Sequence, residues 1–145
     1  KAKEYNGFNL IVGNGDELWY LSNYKKGIEK LKPGLYGLSN HLLETPWPKV
    51  SRGKERLVPV LNEKKINVEN IFEVLYDSQQ ARDENLPDTG IGLERERMLS
   101  SMFIKSPNYG SRCSTVVLID HQAKLDKTQA PFLNQILDRH ALNFD

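Results

Sequence analysis

The chain has few of the features that would identify a function directly. Its 145 residues include one cysteine, Cys113, so no disulfide can form within the chain. Free cysteines are typical of reducing compartments, and we therefore expect a cytoplasmic location. No apolar run approaches the roughly 18 residues that a membrane-spanning helix needs. The longest, Val116–Ile119, has the length of a strand, so we expect no integral membrane segment.

The chain also lacks an excess of either positive or negative charge. Lys and Arg total 20 and Asp and Glu total 19, which gives a net charge of +1. Domains that bind nucleic acid usually carry a basic excess, so we expect no nucleic-acid partner. The three histidines, His41, His121 and His140, form no HExxH or related spacing, and no CxxC is present. A structural zinc site is therefore not expected, and without CxxCH covalent haem attachment is excluded.

In its overall composition the chain is an ordinary globular protein. Hydrophobic residues make up 39% and charged residues 27%, and the length suggests one domain over residues 1–145. Two runs on either side of an Asn-Gly turn predict a hairpin, and a third run predicts another strand of an antiparallel sheet. Two later runs also have strand character. The predicted strands are Phe8–Val12, Glu17–Ser22, Leu35–Ser39, Ser101–Ile104 and Cys113–Ile119.

Helical patterns occupy separate blocks of the sequence. A helix is predicted to begin at Pro48, since proline is favoured in a first turn, and Pro59 is predicted to end or kink it near Val58. A second begins at Val68, where apolar residues recur at i, i+3, i+4 and i+7, with Asn67 as its N-cap. A long surface loop and a last helix are predicted over Asp77–Gly92 and from Phe132 to about His140. Segregated strands and helices favour an α+β fold.

Three blocks of sequence resemble one known family. Pro33–Val50 reads PGLYGLSNHLLETPWPKV, Tyr5–Ile11 reads YNGFNLI, and Tyr109–Asp120 reads YGSRCSTVVLID. In order and rough spacing they are similar to the NRDE family, which includes the Transport and Golgi organisation proteins; beyond Asp120 the similarity fails. The resemblance implies the αββα sandwich of N-terminal-nucleophile hydrolases. It also implies that this chain is the C-terminal portion of a longer domain, whose N-terminal portion carries a Cys and the Asn-Arg-Asp-Glu signature.

The central block contains three candidate ligand-binding residues. Asn40 follows a predicted strand, where its amide could donate to an oxyanion or a ligand carbonyl, or simply cap a turn. Judged by residue type alone, Asn40 is better explained as a turn cap. Because it resembles an Asn that amidases of this fold place after a comparable strand, we weigh the ligand-binding role equally with the turn cap. His41 is either a haem ligand or, as we favour, a hydrogen-bonding surface residue. Tyr36 belongs to an aromatic group that lines a ligand site or, as we favour, the core; the others are Trp19, Tyr20 and Trp47.

Two further candidates lie in the last block. Arg112 enters a strand that reads as buried, and an unpaired buried guanidinium is costly. It therefore holds a carboxylate of a substrate or of a catalytic group, forms a structural salt bridge, or extends its charged end to water. Cys113 could be a nucleophile only with a base nearby, and we favour a small buried hydrophobic role.

The resemblance implies two functions of different classes. One is haem binding and trafficking, with haem as the small-molecule ligand and the N-terminal portion of the same protein as partner. The other is a cysteine-type amidohydrolase whose nucleophile lies upstream, with Asn40 assisting the oxyanion and Arg112 holding an acidic group. These residues hold no complete catalytic set. Both functions require the side chains of Asn40 and Arg112 to meet in one hollow at the rim of the sheet.

Overall fold

The structure is a computed structural model that describes residues 4–14 and 16–119. Within this part, three strands precede three α-helices, and a short 3-10 turn at Asp83–Asn85 precedes the last helix. The strands are β1 (Asn9–Gly13), β2 (Leu18–Ser22) and β3 (Ile28–Leu31); the helices are α1 (Pro48–Leu61), α2 (Val68–Leu75) and α3 (Leu93–Leu99). The predicted α+β class is confirmed at this level.

The sheet is an antiparallel meander in the order β1-β2-β3. Tyr20 at its centre lies opposite Ile11 on β1 and Glu29 on β3. The predicted β1–β2 hairpin is confirmed. Its turn is held by Asn14, whose Oδ1 accepts hydrogen bonds from the backbone N–H of Asp16 at 2.9 Å and of Glu17 at 3.0 Å.

The position of the third strand was predicted wrongly. It lies at Ile28–Leu31, within a segment that reads as a polar connection, and not at Leu35–Ser39. Gly27, with φ of 96°, makes the turn that returns the chain onto β2. β3 is short and charged, as is typical of an edge strand. For the same reason its sequence lacks the alternation of apolar and polar residues by which a strand is recognised. Residues 35–39 alternate in exposure like a strand but belong to no ladder.

The two later strand predictions are also wrong for the described residues. Residues 101–103 form bends and residue 104 has no regular structure; the nearest pairing is an isolated bridge between Lys105 and Gly110. Residues 113–118 carry no strand assignment, although their exposure alternates residue by residue. Alternation reports an extended backbone, whereas a strand also needs a neighbour to accept its hydrogen bonds.

The predicted starts and ends of the helices agree with the structure in some cases and not in others. α2 is confirmed, and Asn67 Oδ1 accepts from the N–H of Glu69 at 3.0 Å as an N-cap. α1 continues through Pro59 to Leu61, so Pro59 does not end the helix, which was one of its two predicted effects. The carbonyl that loses its partner there belongs to Glu55, an exposed residue, so water can replace the missing N–H. α3 was not predicted, because its mixed charges mask the pattern. The predicted last helix, His121 and His140 lie outside the described residues.

Two packed regions hold the molecule together. Between α1 and α2, Val60, Ile71 and Val74 form a buried cluster. In the sheet, Tyr20 is fully buried. Residues 37–47, which we call the bridging loop, connect the two regions. None of the helices in the described residues is long and apolar enough to cross a membrane.

Candidate ligand-binding site

The bridging loop is closed on itself by Glu44. Its N–H donates to the carbonyl of Gly37 at 2.8 Å, and its Oε1 accepts from the N–H of Gly37 at 2.6 Å. Lys54 of α1 forms a salt bridge with Oε2. The hydrogen bond from Lys54, followed by that from Gly37, lowers the pKa of Glu44 below its usual value. Glu44 has φ of +63°, a left-handed conformation that is uncommon outside glycine.

The same closure explains the glycine at position 37. A Cβ added there would lie 2.5 Å from Cγ1 of Val50, too close for any side chain. A side chain of α1 therefore approaches the backbone closely at Gly37. As a result, Ser39 and Asn40 are held against the helix layer by contacts at both ends of a short loop.

Ser39 and Asn40 line a cavity of about 400 Å³, which we call the central cavity. The bridging loop, α1, α2 and residues 111–114 enclose it. Its apolar floor is formed mainly by Leu57, Ile71, Val74 and Met102. Its charged lining groups are two lysines, Lys49 and Lys54, and no carboxylate lines it among the described residues. The cavity can therefore hold an apolar body with an acidic group.

The polar rim contains groups that lack partners. The Oγ of Ser39 is buried and has no hydrogen-bond partner in the described part of the chain. Asn40 is exposed, and it lines both the central cavity and a neighbouring one of about 250 Å³. Because buried polar atoms are normally paired, Ser39 is the group in this rim that a ligand would most usefully satisfy. Ser39 was not among the predicted site residues, although it lies within the block that carried the family resemblance.

Lys49 was also missed. Its Nζ donates to the carbonyl of Leu99 at 2.9 Å, and its side chain borders three cavities. Burial lowers its pKa, and the negative charge of Glu96 opposes this effect. Glu96 is 7% exposed and accepts hydrogen bonds from the N–H of Thr89 at 2.8 Å and from its hydroxyl at 2.6 Å. From sequence, a lysine in the first turn of a helix is expected to be exposed to solvent. Its burial among the three cavities is evident only from the tertiary packing.

Arg112 does not meet Asn40. It is exposed and lines a different cavity, of about 770 Å³, formed by residues 103–112. The expectation that the two side chains share one hollow is therefore wrong in this structure. The exposure of Arg112 agrees with the alternative in which its charged end reaches water. The neighbours of Arg112, Ser111 and Cys113, line the central cavity instead. Arg112 is thus turned away from the central cavity, whereas Ser114, like Ser111 and Cys113, lines it.

Cys113 differs from its favoured interpretation. It is a free, exposed cysteine and lines the central cavity, so it is not a small buried hydrophobic residue. No group of three or more His, Cys, Asp or Glu side chains that could hold a metal ion occurs among the described residues. Its thiol is a lining group that could act as a ligand to a metal ion.

The remaining candidates divide between the cavity and its surroundings. Tyr36 lines the central cavity and donates its hydroxyl to the carbonyl of Lys32 at 3.0 Å. His41 is exposed and does not line that cavity. Its Nδ1 lies 3.0 Å from the Thr45 hydroxyl, and its ring stacks on Trp47 with centroids 5.9 Å apart. His41 therefore supports the bridging loop from outside.

Comparison with known proteins gives the family. The family model for Transport and Golgi organisation 2 matches residues 1–132. The chain is 32% identical over 148 residues to the human Transport and Golgi organization protein 2 homolog, covering 92% of this chain and 53% of that protein. The bovine homolog is 34% identical over 143 residues, covering 89% and 52%, and the mouse homolog 28% over 155 residues, covering 96% and 55%. The chain thus spans about half the length of the curated relatives it matches. With the family model matching most of its length, the chain belongs to the Transport and Golgi organisation 2 family.

Proposed function

We propose that the central cavity binds an apolar small molecule that carries an acidic group, and that haem is this ligand. The observation that carries the proposal is the lining: an apolar floor whose charged neighbours are Lys49 and Lys54, with no described carboxylate. A porphyrin combines a flat apolar body, which matches the floor, with two carboxylates, which match Lys49 and Lys54. Lys54 would bind a carboxylate while it keeps its salt bridge with Glu44. Cys113 supplies a thiol for the iron, since thiolate is an established axial ligand.

The role that fits such a site is reversible carriage of the ligand. The cavity opens beside an exposed loop, and its residues include no complete catalytic set among those described. We therefore favour haem binding and trafficking over the amidohydrolase alternative. A cytoplasmic location belongs to the same proposal, supported by the free thiol of Cys113, which a reducing compartment would preserve.

A titration of the full-length protein with haem tests this proposal. We expect a saturable shift of the Soret band. In the variant Asn40→Ala we expect affinity about threefold to tenfold weaker, the worth of one neutral hydrogen bond. The melting temperature should barely change, because Asn40 is exposed.

Asn108→Ala is the matched control, because Asn108 is exposed and lines the separate 103–112 cavity. Equal loss of haem affinity in both variants would move the site away from the central cavity. Turnover of amide substrates that depends on the N-terminal Cys of the full-length protein, with no Soret shift, would replace the haem proposal with the amidohydrolase. A large fall in the melting temperature of Asn40→Ala would show a structural turn cap instead.

We also propose that the described α+β unit belongs to a larger αββα sandwich, of which residues 1–145 form the C-terminal portion. Two observations support this. The chain spans about half the length of its relatives. One face of the sheet is apolar and lacks a covering layer among the described residues, and Ile28 on that face is 67% exposed.

A further inference from the structure

A second cavity, of about 260 Å³, lies between the start of α1 and the segment from residue 77 to residue 85. We call it the arginine cavity. Its charged lining groups are Lys49, Arg52, Arg82 and Asp77. It shares Lys49 and Met102 with the central cavity, and its other walls are separate. The haem proposal does not use it.

The carboxylate in this cavity is already fully engaged. Asp77 Oδ2 accepts from Arg52 Nε at 2.5 Å and lies 2.6 Å from Nη1 of Arg56. Its Oδ1 accepts from the backbone N–H of Gln79 at 2.9 Å. Burial raises the pKa of Asp77, but these hydrogen bonds outweigh it and hold the pKa below its usual value. Asp77 is thus ionised at neutral pH and serves to fix the guanidinium of Arg52.

The remaining cations are not neutralised in the same way. The nearest described carboxylate to Arg82 belongs to Glu84, at 3.7 Å, and the Arg82 side chain is 86% exposed. Lys49 donates to the carbonyl of Leu99 at 2.9 Å, which leaves further N–H groups on its ammonium. Three cations and one carboxylate line the cavity, and among these cations only Arg52 is bound to the lining carboxylate.

We propose that the arginine cavity binds a small molecule through a phosphate group. A phosphate carries close to two negative charges at neutral pH, which suits a lining that holds three cations and one carboxylate. Guanidinium groups bind phosphate oxygens in a bidentate manner, and the side-chain amides of Gln79, Gln80 and Asn85 add further hydrogen-bonding groups to the wall. The volume is at the small end of ligand sites, so the ligand is a small phosphorylated molecule.

The test uses the full-length protein and two probes, inorganic phosphate and glycerol phosphate, at constant ionic strength. Backbone amide NMR shifts are followed during each titration. We expect saturable shifts at residues 79–85 and 49–52. We expect the dissociation constant to rise about tenfold in Arg82→Gln, as for one hydrogen bond to a charged group. Arg82 is exposed, so this substitution leaves the fold intact.

Arg95→Gln is the matched control, because Arg95 is also exposed but lies on α3 outside the lining. The control should bind both probes as the unmodified protein does. Linear shifts without saturation, or equal weakening in both variants, would overturn the site in favour of general surface charge. Acetate serves as the carboxylate comparison at the same ionic strength, and equal affinity for acetate would overturn the phosphate assignment.

Discussion

Glu44 shows how one residue can position a binding loop. Its left-handed backbone costs of order 1 kcal/mol for a residue with a side chain. That conformation persists because both carboxylate oxygens are used, one by Gly37 and one by Lys54. The bonds close the loop that carries Ser39 and Asn40. Glu44 is therefore a positioning residue for the rim of the central cavity.

The closure by Glu44 predicts a dependence on pH. Its pKa is lowered in the folded protein, so its contribution to stability is present above the unfolded pKa, about 4.3 for glutamate. This contribution is lost as pH falls through the folded pKa. We expect Glu44→Gln to lower the melting temperature at pH 7, and the difference from the unmodified protein to shrink below about pH 4.

Melting temperatures measured from pH 3 to pH 7 check this. Glu55→Gln is the control, since Glu55 is exposed on α1 and makes no ion pair with a described residue. A constant difference between Glu44→Gln and the unmodified protein across this range would contradict the clamp. So would the same pH dependence in the Glu55→Gln control.

Single residues of the site were predictable only in part. Asn40 and Tyr36 do line the central cavity, because the small polar residues after an extended segment mark a rim. Arg112 was misplaced, because the sequence does not reveal which side of an extended segment each residue faces until its neighbours are known. Lys49 was missed because burial of a lysine depends on elements distant in sequence, here the carbonyl of Leu99.

Among elements, β2 and the bridging loop are joined by one buried hydroxyl. The Oη of Tyr20 donates to Asn9 Oδ1 at 2.6 Å and accepts from the N–H of Leu43 at 3.0 Å. Asn9 in turn donates from Nδ2 to the carbonyl of His41 at 2.8 Å. This chain of hydrogen bonds fixes the loop to the sheet, while Glu44 and Lys54 fix it to α1.

Removal of this hydroxyl is therefore expected to affect both elements. In Tyr20→Phe the N–H of Leu43 and the side chain of Asn9 lose a partner, which costs about 1–3 kcal/mol of unfolding free energy. Hydrogen exchange at the Leu43 amide should also become faster. Denaturant unfolding and amide exchange measure the two effects.

Tyr24→Phe is the matched control, because Tyr24 is 53% exposed. It should change the unfolding free energy by less than about 0.5 kcal/mol. Unchanged exchange at Leu43 in Tyr20→Phe would show that the loop is held without the hydroxyl.

Elements were predictable where the local signals agreed. α2 has an N-cap, an acidic first turn and a regular apolar stripe, and the structure follows all three. β3 was missed because its sequence, IEKL, places two adjacent charges between its apolar residues and so lacks alternation; its strand conformation depends on pairing with β2. α3 was missed because adjacent opposite charges conceal a helix that rests on only a few buried contacts. In each failure the deciding partner lies elsewhere in the chain.

At the scale of the whole molecule, the sheet has two unlike faces. Tyr20 and Ser22 are buried on the face that contacts the bridging loop. The opposite face carries apolar residues from all three strands: Leu10, Val12, Trp19, Leu21 and Ile28. Leu10 and Val12 are each 44% exposed in the described structure. Soluble proteins rarely leave such a contiguous apolar face open, so we expect another layer to cover it.

A charge placed on this face distinguishes a covered sheet from an open one. In the full-length protein we expect Leu10→Lys to reduce the unfolding free energy by about 2–4 kcal/mol, because a second sheet would bury the charge. Val58→Lys is the matched control, since Val58 is 46% exposed on α1 and should cost less than about 0.5 kcal/mol. Denaturant unfolding of both variants gives the comparison. Equal, small costs would mean that the face of Leu10 is open to solvent in the complete protein, and the αββα sandwich would then have to be abandoned.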